Sequence, residues 1–297
     1  VQSTHFIDAN EDLTGKPDTF HFVTCADCGL RYQNPRVDMD HIKDFYDEEY
    51  IAHRKKGDWG LLGPLYEWAM GKHDRDKRSL VGRYVELSER TRVLDVGCAV
   101  GSFLTHLGQS DGCQLSGVDF KDLSAYPGMD KIDFHLGLFY DQDLPKEHFD
   151  LITMWHYLEH DYDPIRSLKA AGELLSKEGR LVIEVPRLDS VSFTLYKERW
   201  PGLQAPQHTV LFDKEHLLRF LEEADLELVE YLPWGAFPAY FYLFTGAAFK
   251  LLKGKGLNLD RWIYPYFAGQ LLMTPVLLAE KHLNLAMQTV VCKRRSP

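Results

Sequence analysis

From Thr91 onward, short apolar runs alternate with stretches of helical periodicity. Residues 92–96, 114–118, 131–136, 149–155, 180–185, 226–232 and 287–292 read as strands. Helices are predicted between them. One starts at Ser102. A second opens at Asp163-Pro164, with Asp as N-cap and Pro in the first turn, and buries a stripe of Ile165, Leu168, Ala171, Leu174 and Leu175 before Gly179 stops it. A third opens at Phe212-Asp213 and runs to Ala224. Strands alternating with helices predict a layered α/β fold with a parallel sheet.

The flanking blocks differ in texture. Residues 1–37 are polar and turn-rich, and 38–89 read as two helical runs, to Lys56 and from Leu65 to Leu87, separated by a Gly/Pro loop. Residues 231–249 and 262–279 carry no charge at all, and 12 of the 49 residues in 231–279 are Phe, Trp or Tyr, against 38 in the whole chain of 297. The expected organisation is therefore an N-terminal Cys segment (1–37), a helical segment (38–89), the α/β domain (90–232), an apolar insertion (233–285), and a last strand with a basic tail (286–297).

Charge sharpens this division. The chain carries −10 overall, but 231–279 holds Lys250, Lys253, Lys255 and Arg261 against Asp260, so this segment is +3 and the remainder −13. Such an acidic surface argues against general affinity for nucleic acid. Five cysteines, with only Cys25 and Cys28 closely spaced, read as thiols of a reducing, cytoplasmic compartment, and residues 1–10 show no secretory signal.

The sharpest local signal is Asp95-Val96-Gly97-Cys98-Ala99-Val100-Gly101, which joins a strand to an amphipathic helix. Its glycines admit close approach of a ligand to the backbone, and the helix N-terminus offers free N–H groups. The acid before the first glycine would repel a pyrophosphate and welcome an amine or sulfonium, and GxGxxG spacing is absent, so the pattern points away from dinucleotides. Asp119 ends the next strand, placed to accept hydrogen bonds from both ribose hydroxyls, with Phe120 beside it to pack on adenine.

These residues resemble class I S-adenosylmethionine-dependent methyltransferases, over roughly 80–232 and 286–294. The resemblance implies a Rossmann-like, seven-stranded, mostly parallel sheet with helices on both faces. It also implies cofactor contacts from Asp95, Gly97, Cys98, Gly101, Asp119, Phe120, Leu138, Phe139 and Trp155. Ala99 replaces the usual middle glycine, and Leu138 stands where the family often has an Asp for the adenine amino group.

His156-Tyr157-Leu158-Glu159-His160 matches HxxEH, an inverted zinc-protease pattern. That pattern belongs inside a long helix, whereas here it follows a strand at the mouth of the sheet. The stretch instead resembles the ExxEH of ubiquinone-biosynthesis-type O-methyltransferases, with His156 in place of the first Glu. Glu159 and His160 could equally shape the loop by local hydrogen bonds. His208, in the loop after the fifth strand, is a candidate general base for an acceptor hydroxyl or an orienting residue of that loop. His156, His160 and His208 are thus the catalytic candidates.

Cys25-Ala26-Asp27-Cys28 supplies two corners of a zinc tetrahedron. With Asn34-Pro35-Arg36 behind it, the segment resembles half of the zinc ribbon that precedes some methyltransferases; the other CxxC pair would lie upstream of Val1, and within this chain His5 or His21 would have to complete the site. The apolar insertion reads as a lid over a lipophilic or aromatic acceptor, as a surface for peripheral membrane contact, or as ordinary core helices. Together these features predict O-methylation of a lipophilic or aromatic small molecule, with C-methylation or a non-catalytic cofactor-binding module as alternatives.

Overall fold

The computed structural model describes residues 2–12, 18–46, 63–253, 255–257 and 259–295. Its strands are β1 (Ser3–Asn10), β2 (Thr19–Cys25), β3 (Arg31–Gln33), β4 (Arg92–Val96), β5 (Gln114–Asp119), β6 (Asp133–Leu136), β7 (Phe149–Trp155), β8 (Leu175–Pro186), β9 (Val210–Leu211), β10 (Leu226–Leu232) and β11 (Met287–Arg294). Its helices are α1 (Gly63–Val81), α2 (Ser102–Asp111), α3 (Pro164–Leu174), α4 (Val191–Tyr196), α5 (Lys214–Glu223), α6 (Ala239–Leu252) and α7 (Leu259–Leu278).

The main sheet has the order β10-β11-β8-β7-β4-β5-β6, with β11 antiparallel to both neighbours and the β4–β8 pairings parallel. This is the expected seven-stranded Rossmann-like sheet. Alternate side chains of its central strands bury opposite faces. Leu94, Ile152 and Ile183 pack with Leu168 of α3 and Leu217 of α5. Val93, Leu151 and Val182 pack with Leu80 of α1 and Leu104 of α2. From β4 the chain runs to β5 and β6 on one side, then resumes with β7 on the other. The carboxyl ends of β4 and β7 therefore flank a topological switch point, where open α/β sheets bind ligands.

Two predicted helix starts are realised. Asp163 accepts from the N–H of Arg166, with Pro164 in the first turn of α3, and Asp213 accepts from the N–H of His216 to cap α5. The N-terminal block differs from its polar, turn-rich reading: β1, β2, β3 and β9 form a four-stranded sheet. Pairing of Tyr32 with Val210 and of Arg31 with Leu211 supplies the partner that a local reading of 1–37 could not see, and Phe22 is fully buried. Of the helical run predicted to Lys56, only a short 3-10 turn at Ile42–Phe45 falls within the described residues; of the loop predicted after it, Gly57 and Gly60 lie outside them, while Gly63 and Pro64 open a helix instead. The second run forms α1, which stops at Val81.

Asp213 fastens the N-terminal sheet to the α/β domain. Its carboxylate pairs with Arg31 at 2.9 Å and with Nδ1 of His216 at 2.7 Å, while Nε2 of His216 lies 3.0 Å from the carbonyl of Cys28. Asp213→Ala removes a helix cap and this tie together. It should cost about 1–2 kcal/mol in urea denaturation, and stability within error of wild type would remove the tie's importance.

Candidate active site

The turn after β4 is built by backbone conformation. Gly97 and Gly101 adopt φ of +73° and +66°. A Cβ on Gly101 would be strained at this φ and would lie 2.6 Å from both Met129 Sδ and Ile132 Cδ1, so the tips of those buried side chains would have to shift to admit it. Ala99, the departure noted in the sequence, is also left-handed at φ +46°. Its N–H donates to Asp119 Oδ2 at 2.9 Å, and the N–H of Lys121 donates to Oδ1 at 3.0 Å. Asp119 is thereby fixed at the tip of β5 beside the glycine turn, with lone pairs left for a ligand's hydroxyls. Burial raises its pKa, and these two N–H groups oppose the rise.

Asp95 ends the neighbouring strand and accepts from the hydroxyl of Thr153 at 2.6 Å. Burial pushes its carboxyl up to about 6, with Lys77 and Thr153 restraining the shift. Gly137 donates to the carbonyl of Asp119, which sets Leu138 next to the crevice. Phe139 and the Cys98 side chain are buried, Phe139 in the main core and the Cys98 sulfur under Gly117, so both support the crevice from beneath. Phe120 packs edge-on against Tyr46 with ring centroids 5.0 Å apart.

A second cluster lies at the ends of β7 and β8. His156, with φ +53°, places Nδ1 3.3 Å from Glu159 and Nε2 3.4 Å from Glu184. Burial disfavours its charge, but the two carboxylates outweigh that and push it up to about 9. Both carboxyls are correspondingly held below the usual range despite their own burial. Glu184 also accepts from the N–H groups of Ala236 and Phe237 at 2.6 and 2.9 Å, which anchors the start of the apolar insertion.

The loop carrying His208 lies across this cluster because Thr209 donates its N–H to Glu159 O at 2.7 Å and its hydroxyl to Asp161 O at 2.7 Å. His208 Nδ1 bonds Gly202 O at 2.8 Å, leaving Nε2 4.0 Å from Glu159. His160 stacks edge-on against His208 at 4.5 Å, and its Nδ1 contacts Tyr46 Oη and Gln207 O. Burial lowers the pKa of His208 and takes His160 down to about 3, so both imidazoles are neutral at pH 7. Glu159 is 2% exposed, and among the described residues neither of its oxygens has a well-formed hydrogen bond. One carboxylate oxygen and two imidazole nitrogens lie within 4.8 Å of one another here, a donor set that suits a divalent ion.

The three candidate histidines are thus brought together, with different charge states. Reading the sequence missed Glu184, Thr153 and Tyr46. Thr153 and Glu184 meet Asp95 and His156 across neighbouring strands, and Tyr46 meets His160 from 114 positions away, so none of these contacts is visible before the sheet order is known. Among the described residues no third His, Cys, Asp or Glu donor joins Cys25 and Cys28. His5 and His21 converge instead on Asp8, at 2.8 and 2.7 Å.

With the crevice defined, comparisons place the protein. A family model described as a methyltransferase domain matches residues 70–231, more than half of the chain. The chain belongs to this family; it is a methyltransferase whose cofactor is S-adenosylmethionine. No curated protein matches in sequence. Among solved structures, geranyl diphosphate C-methyltransferase from Streptomyces coelicolor A3(2) is similar, with a TM-score of 0.51 and 9% identity over 73% of this chain and 76% of that one. Haemonchus contortus phosphoethanolamine N-methyltransferase 2 gives a TM-score of 0.54 and 14% identity over 90% of this chain and 62% of that one. The [4+2]-cyclase SpnF gives 0.51 and 16% over 75% and 81%. At these identities the likeness is one of fold.

The His156 ion pairs make stability depend on pH with a defined sign. A histidine whose folded pKa is raised contributes fully below its unfolded value near 6.5 and loses that contribution as pH rises through about 9. Glu159 and Glu184, held low, contribute above about 4.5 and lose their contribution on acidification. Thermal melts of wild type should therefore decline between pH 6.5 and 9, and His156→Gln should flatten that limb. Parallel curves for both proteins would show that His156 is not charged in the fold.

Proposed function

We propose that the protein transfers a methyl group from S-adenosylmethionine to a hydroxyl of a lipophilic or aromatic small molecule. The observation that carries this reading is that the neutral imidazole of His208 and the charged imidazole of His156 face the same Glu159 carboxylate, while the apolar insertion packs on His156. Phe237 heads the apolar insertion, lies 4.8 Å from His156 and 5.4 Å from His73 between ring centroids, and packs on Phe241 and Tyr242. Asp95 and Asp119 hold the cofactor at the strand tips, and Gly97 and Gly101 give its close approach.

Bound there, the cofactor supplies a methyl group on a sulfonium that is already a good leaving group, so the protein's tasks are positioning and deprotonation. His208 accepts the acceptor's proton at Nε2, since Nδ1 is engaged by Gly202, and Glu159 stabilises the imidazolium that forms. His156 is charged at neutral pH and acts by holding Glu159 in place. His160 lines the acceptor side.

Lipid and quinone extracts incubated with methyl-labelled cofactor should yield a labelled product together with S-adenosylhomocysteine. His208→Ala should lower kcat by about 100-fold with cofactor affinity intact, and unchanged turnover would retire it as the base. C-methylation is distinguished by the position of label in the product, and a non-catalytic module by the absence of S-adenosylhomocysteine.

The acceptor's lipophilicity is supported by the outer side of the insertion, which we read as a docking face for an anionic bilayer at the cytoplasmic side. On α7, Tyr264, Leu271, Leu272 and Leu278 are 67%, 76%, 81% and 81% exposed, and 262–279 contains no charged residue. Leu251 is exposed beside Lys250 and Lys253. No helix among the described residues is long and apolar enough to cross a membrane. A +3 segment on an otherwise −13 chain is attracted to anionic headgroups, while a symmetric self-contact would set like charges together. Vesicles of phosphatidylcholine with roughly 30% phosphatidylglycerol, which present an anionic surface as a cytoplasmic leaflet does, should co-sediment with wild type. They should not do so with Leu271→Glu/Leu272→Glu. Equal sedimentation of both, or a dimer abolished by the same substitutions, would overturn this reading.

A further inference from the structure

Lys77 lies on the last two turns of α1, which packs against α2. Its ammonium sits over the rings of Trp155, 5.2 Å from the centroid, and Phe103, at 5.6 Å. These two rings meet edge-on at 5.6 Å, one at the end of β7 and the other in the first turn of α2. They bracket the glycine turn. Among the described residues, Lys77 makes no ion pair within 4 Å and no hydrogen bond; at longer range it faces the carboxyls of Asp95 and Asp74 and the imidazole of His73. Beside it the indole Nε1 of Trp155 is buried with no hydrogen-bond partner among the described residues, in a residue that is 7% exposed.

Such a group needs an explanation, since a buried N–H without an acceptor costs about 1–3 kcal/mol. Asp95, Asp119 and Asp74 make the crevice strongly acidic. A ligand's amine is well received there, but an amino acid's carboxylate is repelled unless a cation and a donor stand at the same end. Lys77 and Trp155 are a cation and an open donor at that end of β7.

We infer that the Lys77 ammonium and the Trp155 indole N–H receive the carboxylate of the cofactor's amino-acid end, opposite the amine held by Asp95. This rests on the cofactor reading above and adds the residues that recognise the cofactor as a zwitterion. Lys77 is a binding residue in this assignment and takes no part in proton transfer.

Two ligands separate the inference from the reading it rests on. S-adenosylhomocysteine carries the amino acid, and 5′-methylthioadenosine has the same nucleoside and sulfur without it. Calorimetric titration of the full chain should show both binding to wild type. Lys77→Met should weaken S-adenosylhomocysteine about ten- to a hundredfold and leave methylthioadenosine unchanged, and Lys77→Arg should restore most of the loss. Trp155→Phe keeps the ring and removes only the N–H, and should weaken S-adenosylhomocysteine selectively by a smaller factor. Equal loss for both ligands, or no loss in either variant, overturns the carboxylate role while leaving the cofactor reading intact. Failure of wild type to bind either ligand overturns both.

Discussion

The site depends on one unusual pairing, a histidine cation held between two carboxylates inside the protein. Burying three ionised groups costs several kcal/mol each unless their charges compensate, and here a single imidazole serves both acids. Glu184 belongs to β8, His156 to the end of β7, and Glu159 to the loop after it. Two adjacent strands and the first turn of the acceptor loop are thereby locked in register by charge. That lock fixes where Thr209 can bond, and hence where His208 sits. The same Glu184 holds the backbone at Ala236 and Phe237, so the histidine cluster and the root of the apolar insertion share one anchor.

The cofactor crevice is a separate construction with a different logic. Its acids are held by backbone N–H groups and a threonine hydroxyl rather than by full counter-ions. Asp95 and Asp119 consequently keep raised pKa values, and a cationic ligand gains most from meeting them. Burial in one cluster is answered by internal charge, and in the other by a charge that the ligand brings.

Much of this was legible in the residues. The alternation of strands and helices gave the sheet, because period-2 and period-3.6 patterns are local. Asp163 and Asp213 announced their helices by capping chemistry, and the Asp-to-Gly turn announced the ligand end. What escaped was set by long-range pairing. Residues 1–37 look loop-like until β9, nearly 180 positions away, offers Tyr32 a partner. Glu184 reads as one polar residue in a buried strand, and only the neighbouring strand reveals that His156 faces it. The surroundings of Cys25 are a related case: His5 and His21 are close to it in sequence, yet the β1–β2 register points them at Asp8.

The reversed direction of β11 has a consequence for how such a protein can diversify. Because β10 and β11 run in opposite senses, the chain between them departs from and returns to the same rim of the sheet, the rim that carries the crevice. A connection of any length can grow there without passing beneath the domain or disturbing its layers. Residues 233–286 occupy this slot, so this one connection can be rewritten while the glycine turn and the parallel strands of the sheet stay as they are.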